Sequence, residues 1–404
     1  MAKRVCIIRI DGHESEALYE DLIAVEVCEQ EADSSVFAMK FGIFHRRDGT
    51  WTILDEGDDG IPTLRLWQRL TIEAGYEGKN DVLIDGYIAG VQPNIGINQS
   101  ESHLLVWGHD VSYAMRQEEK VVAWEDRKFS DVATELFDNY GLEHEVDDSQ
   151  VVHALDENLL LQRGTDWDFL NRLAAQLGFE LFIRGAKAYF REPRLFPLPL
   201  PDIVVSAGYA STNALWFKPK VVGERPSKVR IARADPIEKR VEILDIEVSP
   251  QEQLGEETVD DERAGRAAAG VPRTFTQPVA FGSEQEMETF AEGIRRHHDW
   301  TVQAEGELDG RLYGAALRTR SLAPIRGAGR RYSGDYHITK VIHRFTTDDY
   351  RQRFWVQRNA TEEPAYASVR IPSPLAAEIG KALAQAKDGL EKVVTKVPGR
   401  KVNP

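Results

Sequence analysis

Asp166 and Asp168 flank Trp167 in the stretch TDWDFLNRLAAQLGFELFIRGAKAYF, residues 165–190. Two carboxylates held at a set separation are what glycoside hydrolysis needs, so the pair is the first place to look for chemistry. The spacing argues against it. Residues two apart on a helix are turned by roughly 200° about its axis and cannot converge on one substrate atom. The same residues fit a helix start. Thr165 with Asp168 three positions later matches a capping box, and both acids fall near the positive helix end. Trp167, Leu170, Leu173, Ala174 and Leu177 recur at helical spacing, and Gly178 sits where a helix takes a left-handed stop. FELFI and KAYF, separated by Arg184, Gly185 and Ala186, then predict a β-hairpin.

Other chemical motifs are missing. The sequence has no HExxH, no phosphate loop ending in Gly-Lys-Ser/Thr, no GxSxG and no EF-hand loop. His297 and His298 are adjacent on a predicted helix, about 100° apart, so they do not converge as an i, i+4 metal pair would. The GAG of residues 327–329 neither follows a clear strand nor opens a helix, which predicts a turn, with Arg326, Arg330 and Arg331 as an exposed basic surround. Cys6 and Cys28 lie inside apolar stretches without CxxC spacing and are expected to be buried small hydrophobes. No catalytic, cofactor-binding or metal-ligating residue is assigned, and no cofactor is expected.

The elements that must carry these residues divide the chain. At 404 residues it exceeds what one core serves, so two or three domains are expected. A composition of 42% hydrophobic and 29% charged residues is that of a globular protein. No apolar run is long enough to cross a bilayer, and the N-terminus lacks the apolar region of a signal peptide, so synthesis in the cytoplasm without a membrane anchor is expected. The formal net charge of −16 argues against a general affinity for nucleic acid. Residues 1–115 alternate as strands and predict a β-barrel or sandwich. Residues 116–205 form an α+β module with helices near 130–141 and 166–177 and a hairpin at 179–190. Residues 206–362 return to strands, with an acidic loop at 251–270 and a capped helix near 284–298. Residues 363–404 add an amphipathic helix with Leu375, Ile379, Leu383, Ala386, Leu390 and Val393 as its apolar stripe. The fold class is thus mainly β with an inserted α+β module.

Several segments, in order over roughly residues 1–362, resemble the late-control-D-type hub proteins of contractile phage tails and related injection systems. LLLQRGTDWDFLNRLAAQLGFELFIRGAKAYF is similar to that family's most recognisable stretch. LIDGYIAGV and LLVWGHDVSYAM resemble its paired barrel strands, FSDVATELFDNYGL its first helix, and KVRIARADPIEKRVEI and GDYHITKVIHRFTTDDYRQRFWVQRN its second barrel and closing hairpin. The resemblance implies a homotrimeric, non-enzymatic baseplate hub with two β-barrel domains per chain. Six barrels in a ring would meet a hexameric tail tube, while the other face keeps threefold symmetry for a trimeric spike. No short-period repeat follows, so the spike is expected to be a separate polypeptide. The stripe of Leu375, Ile379, Leu383, Leu390 and Val393 is a candidate partner interface toward the spike, the tube or a tape-measure protein. The alternative function is a tail-associated cell-wall hydrolase, suggested by the abundant carboxylates.

Overall fold

A computed structural model describes residues 4–362 except 32, 56–63, 77, 99–100, 154–159, 195–199, 206–211, 223–227, 236–238, 248–253, 257–273, 280–286, 288–289, 291–292 and 295–299. The N-terminal region supplies strands β1 (Arg4–Ile10), β2 (His13–Glu14), β3 (Leu22–Gln30), β4 (Val36–Gly42), β5 (Arg69–Tyr76), β6 (Lys79–Asn94) and β7 (His103–Asp110), with a short helix α1 (Glu16–Glu20). Alternation builds them: in β4, Phe37, Met39 and Phe41 are buried while Val36, Ala38 and Lys40 between them are only partly so, and Leu70, Ile72 and Ala74 repeat the pattern in β5 before its last residues are buried on both faces.

A 3-10 turn at Val111–Arg116 leads into the module. Its elements are β8 (Glu119–Trp124), β9 (Arg127–Lys128), α2 (Phe129–Asn139), β10 (Glu143–Val146), β11 (Val152–His153), β12 (Leu160–Thr165), α3 (Asp166–Leu177), β13 (Glu180–Arg184) and β14 (Lys187–Arg191). β13 and β14 are an antiparallel hairpin turning at Gly185, and β10 adds to β14 in parallel. The two helices press Val132, Leu136, Phe137, Trp167, Leu170 and Leu173 into a core of their own. Val111 and Met115 belong to that core, so the module's packing begins before residue 116.

The rest of the chain contributes β15 (Ile203–Val204), β16 (Ala214–Val221), β17 (Lys228–Asp235), β18 (Arg240–Glu247), β19 (Thr274–Val279), β20 (Val302–Asp309), a helical turn α4 (Gly310–Tyr313), β21 (Leu322–Arg326), β22 (Gly334–Thr346) and β23 (Tyr350–Arg358). β15 pairs with β21, so residues 203–204 belong to this region and not to the module. β17, β18 and β19 form a separate three-stranded sheet.

The two β-rich regions are not two separate barrels. Their strands merge into one 13-stranded sheet in the order β16-β20-β23-β22-β3-β4-β7-β6-β5-β1-β2, with β21 and β15 attached beside β22. No closed barrel forms among the described residues. The seam is the antiparallel pair β3–β22, in register from Lys340 opposite Gln30 to Thr346 opposite Ala24. Each strand would otherwise show a row of unpaired backbone groups at a sheet edge, and pairing them satisfies both rows at once. Phe345 and Tyr350 reach across the seam into the N-terminal core, whereas Val302, Leu308, Tyr336, Ile338 and Phe354 pack a third core beneath the C-terminal strands.

Candidate functional site

Trp167 and its two aspartates sit where β12 runs into α3. Thr165 is extended and its hydroxyl accepts from the Asp168 amide at 3.2 Å while donating to Asp168 Oδ2 at 2.8 Å. Gly178 ends the helix with φ 65°. Asp168 is at the surface, and Asp166 points the other way into the module. There it is fully buried, and its carboxylate accepts from Lys120 Nζ, Tyr140 Oη and Gln162 Nε2, each at 2.7 Å. Gln162 accepts in turn from Trp124 Nε1 at 3.0 Å. The bond to Asp166 raises the Lys120 ammonium above its ordinary value, and burial first, then the same carboxylate, raises the Tyr140 phenol. Asp168 holds the capping hydroxyl of Thr165, and Asp166 ties β8, the end of α2 and β12 to the helix start. The structure does not bring the two together.

A second constellation lies where the module meets the big sheet, around the loop Arg318-Thr319-Arg320 between α4 and β21. Buried Glu29, from β3, holds Arg318 Nε at 2.6 Å and accepts from the Thr319 amide at 3.3 Å. From the module, Arg184 Nη2 donates to the Thr319 carbonyl at 2.7 Å, and Glu180 accepts from Arg320 Nε at 2.9 Å. The Arg320 guanidinium carbon lies 3.7 Å from the centroid of the Phe182 ring. Burial first, then neighbouring Arg318, lowers the Arg184 guanidinium to about 10. Glu29, Phe182, Arg184, Arg318 and Arg320 line a narrow crevice, with room for little more than a water molecule, together with Asp33, Ser34, Asp110 and Trp167. Asp110 is buried, accepts from the Ser35 and Ser112 amides, and is pushed by desolvation up to about 6.

The charges continue outward from Glu180. Its other oxygen accepts from buried Arg191, which also donates to Glu145 at 2.8 Å; Glu145 takes Lys187 at 3.0 Å and Arg194 at 2.7 Å. These cations, Arg194 first, hold the Glu145 carboxyl down at about 2. An ion-pair network therefore runs from the junction to the module surface, beside the stacked rings of Phe182 and Tyr189 at 4.5 Å.

Sequence reasoning missed this junction, and a signal for it exists. Glu29 occupies the inward register set by Val25 and Val27 in β3, a charged residue where an apolar one belongs. A charge in such a slot must be paired. Its partner is nearly 300 residues away, and nothing local names it.

The GAG of 327–329 is a turn, with φ 80° at Gly327 and 79° at Gly329. Arg326 is a correction, because it is buried and bonds Asp335 at 3.1 Å. It ends β21, with its neighbour Ile325 in the core, so the chain sinks before the turn begins. Arg330 remains exposed and pairs with Glu362 at 2.5 Å. Cys6 and Cys28 are free thiols, partly buried in their strands, and burial pushes the Cys6 thiol up to about 12. Of the helix predicted near 284–298, Met287, Phe290, Gly293 and Ile294 are described and helical. His297 and His298, nearly all of the acidic stretch 251–270, and the stripe of Leu375, Ile379, Leu383, Leu390 and Val393 lie outside the described residues. Among the described residues no group of three or more His, Cys, Asp or Glu is placed to hold a metal ion, and no helix is long and apolar enough to cross a membrane.

No curated protein matches the chain. A family model described as the Alg8 N-terminal domain matches residues 67–197, about a third of the chain, from just before β5 to just past β14. That description differs from the late-control-D family that the segments resemble. Solved structures match over nearly the whole length. The 43 kDa tail protein of prophage MuSo2 from Shewanella oneidensis is similar with a TM-score of 0.61 and 13% identity, covering 89% of this chain and 100% of that one. A tail protein from Neisseria meningitidis has a TM-score of 0.63 and 10% identity, covering 88% and 97%. An E. coli component of the type VI secretion system, itself described as similar to T4 bacteriophage tail proteins, has a TM-score of 0.51 and 11% identity, covering 91% and 80%. At such identities the likeness is one of fold: the chain has the mainly β, antiparallel architecture of phage tail proteins.

Proposed function

We propose that the chain is a structural, non-enzymatic tail component, the central hub of the baseplate of a contractile tail or related injection machine. The observation that carries this reading is the end-to-end match of its fold to phage tail proteins, with nearly all of each chain covered. The interior supports it. The carboxylates best placed for chemistry by type, Asp166 and Asp168, are engaged in holding a helix start, and the charged cluster of Glu29, Glu180, Arg318 and Arg320 is engaged in joining structural units.

In this reading three copies close into a ring, each contributing its two β-rich regions, so that six similar units face a hexameric tube and a threefold face receives a separate trimeric spike. The residues 363–404 supply the further contact to spike, tube or tape-measure protein through Leu375, Ile379, Leu383, Leu390 and Val393. The net charge of −16 suits a passage wall that does not retain an anionic cargo.

The test is the mass of the purified protein by light scattering, with negative-stain imaging of the particles after mixing with tube and spike subunits. A trimer, or a monomer that becomes a threefold ring on mixing, is the expected result. A monomer that stays monomeric with both partners refutes the hub. Clearing of purified cell wall in a zymogram, lost on substitution of a single carboxylate, would overturn the non-enzymatic part.

A further inference from the structure

The module core holds two buried indoles, and they differ in one respect. Trp124 donates its N–H to Gln162 at 3.0 Å. Trp167 is 1% exposed, with the Arg116 guanidinium carbon 5.7 Å from its ring centroid, yet its N–H meets no protein acceptor. A phenylalanine would offer the core a ring with no donor to satisfy. Folded proteins rarely leave a buried donor without a partner, and where no protein group reaches it an ordered water does.

Trp167 lines the crevice at the junction, and acceptors with spare capacity line it too. Asp110 takes one amide on each oxygen, Ser112 on Oδ1 at 3.0 Å and Ser35 on Oδ2 at 2.6 Å. Each carboxylate oxygen has room for a second donor. The Thr319 carbonyl, which accepts from Arg184, likewise keeps a lone pair.

Size and charge then select the occupant. The crevice has room for little more than a water molecule, too little for an organic ligand. Arg184, Arg318 and Arg320 share its walls with Glu29, Asp33 and Asp110, so an ion of either sign would meet like charges as well as opposite ones. Water accepts and donates, which suits a wall of both kinds.

We propose that one ordered water molecule is a built part of this junction, accepting from the Trp167 indole and donating to the acceptors around it, with Asp110 and the Thr319 carbonyl offering lone pairs. The N-terminal strands, the module and the C-terminal strands bury separate apolar clusters, and the crevice draws its walls from all three units. The water thereby links the start of α3 to both halves of the sheet. It keeps this place whether or not the chain is a hub.

Nuclear magnetic resonance on the full chain tests the site, with its eight tryptophans labelled with heavy nitrogen. Trp167→Phe and Trp124→Phe each identify one indole signal by its disappearance. The Trp167 indole proton is expected to show a rotating-frame Overhauser contact to water, of sign opposite to that of hydrogen exchange. The Trp124 proton, bonded to Gln162, is expected to show none. A Trp167 proton without a water contact overturns the proposal. A crystal structure at a resolution that orders waters decides it independently if Trp167→Phe does not fold: density for one atom about 3 Å from Trp167 Nε1 is expected. An empty crevice, or a protein acceptor bonded directly to the indole, overturns it.

Discussion

Replacing Asp166 by Asn, beside Asp168→Asn, separates the two aspartates by the work each does. Asp166 is fully buried with three donors within 2.7 Å, one of them the Lys120 ammonium. An asparagine there offers one acceptor oxygen where two stood, and its amide donor must face either Gln162 or the Lys120 and Tyr140 side. Tyr140 can rotate its hydroxyl to accept, but an ammonium cannot. A charge-assisted bond is worth about 1.5–3 kcal/mol, and severing a buried ion pair costs about 3–5. Lys120 is partly exposed and regains water, which discounts the larger figure. We expect a loss of about 3 kcal/mol. Asp168 lies at the surface and only orients the Thr165 cap, and an asparagine there still accepts from Thr165, so its loss is about 0.5 kcal/mol. Urea unfolding followed by tryptophan fluorescence reads the difference, because Trp124 and Trp167 both lie in the module core. If the two variants are equally stable, or Asp168→Asn is the weaker protein, the assignment of roles is wrong.

Other outcomes follow from burial and backbone geometry. His343 is fully buried and desolvation lowers it to about 4, so its neutral form stabilises the fold fully above pH 6.5 and loses that contribution as pH falls toward 4. The stability gap between wild type and His343→Gln should shift by about 3 kcal/mol between pH 7 and pH 4, and a constant gap would refute it. Asp110 has the opposite sign: raised to about 6, it contributes most below pH 4 and loses this as pH rises through 6. Asp110→Asn should therefore gain about 3 kcal/mol relative to wild type on going from pH 4 to pH 7, measured by urea midpoints at the two values. Gly178→Ala should cost more than about 1 kcal/mol, since φ is 65° and a Cβ there runs into the Gly293 backbone; a smaller change in denaturation midpoint would mean that the two segments separate freely. The Cys6 thiol should resist iodoacetamide at pH 8 in the folded protein and react once unfolded.

How much of this could be read beforehand depends on distance along the chain. Thr165, Asp168 and Gly178 lie within one helix of each other, and the helix in the structure begins and ends at them. The alternation of β3 and β4 is equally local. The seam between β3 and β22 carries no local mark: each strand reads as an ordinary half-buried strand, and two barrels or one shared sheet satisfy the same alternation. The junction was hidden for a related reason. Glu29 stands out only once β3 has a known inward face, and Arg320 only once its backbone angle is known. Arg326 looked like part of an exposed turn because three arginines surround two glycines, yet the first of them still belongs to a strand end.

The β3–β22 seam also sets a schedule for synthesis. Gln30 is made near the start of translation and Lys340, its partner, roughly 300 residues later. At about 5–20 residues per second the nascent chain carries an uncompleted β3 edge for roughly 15–60 seconds. During that interval β4 covers one side of β3 and the other is open to any strand that passes, including that of a neighbouring nascent chain. Final yield in a cell should thus depend on how well ribosome-bound chaperones shield residues 22–30, and slower elongation between residues 42 and 334 should favour aggregation over the soluble product.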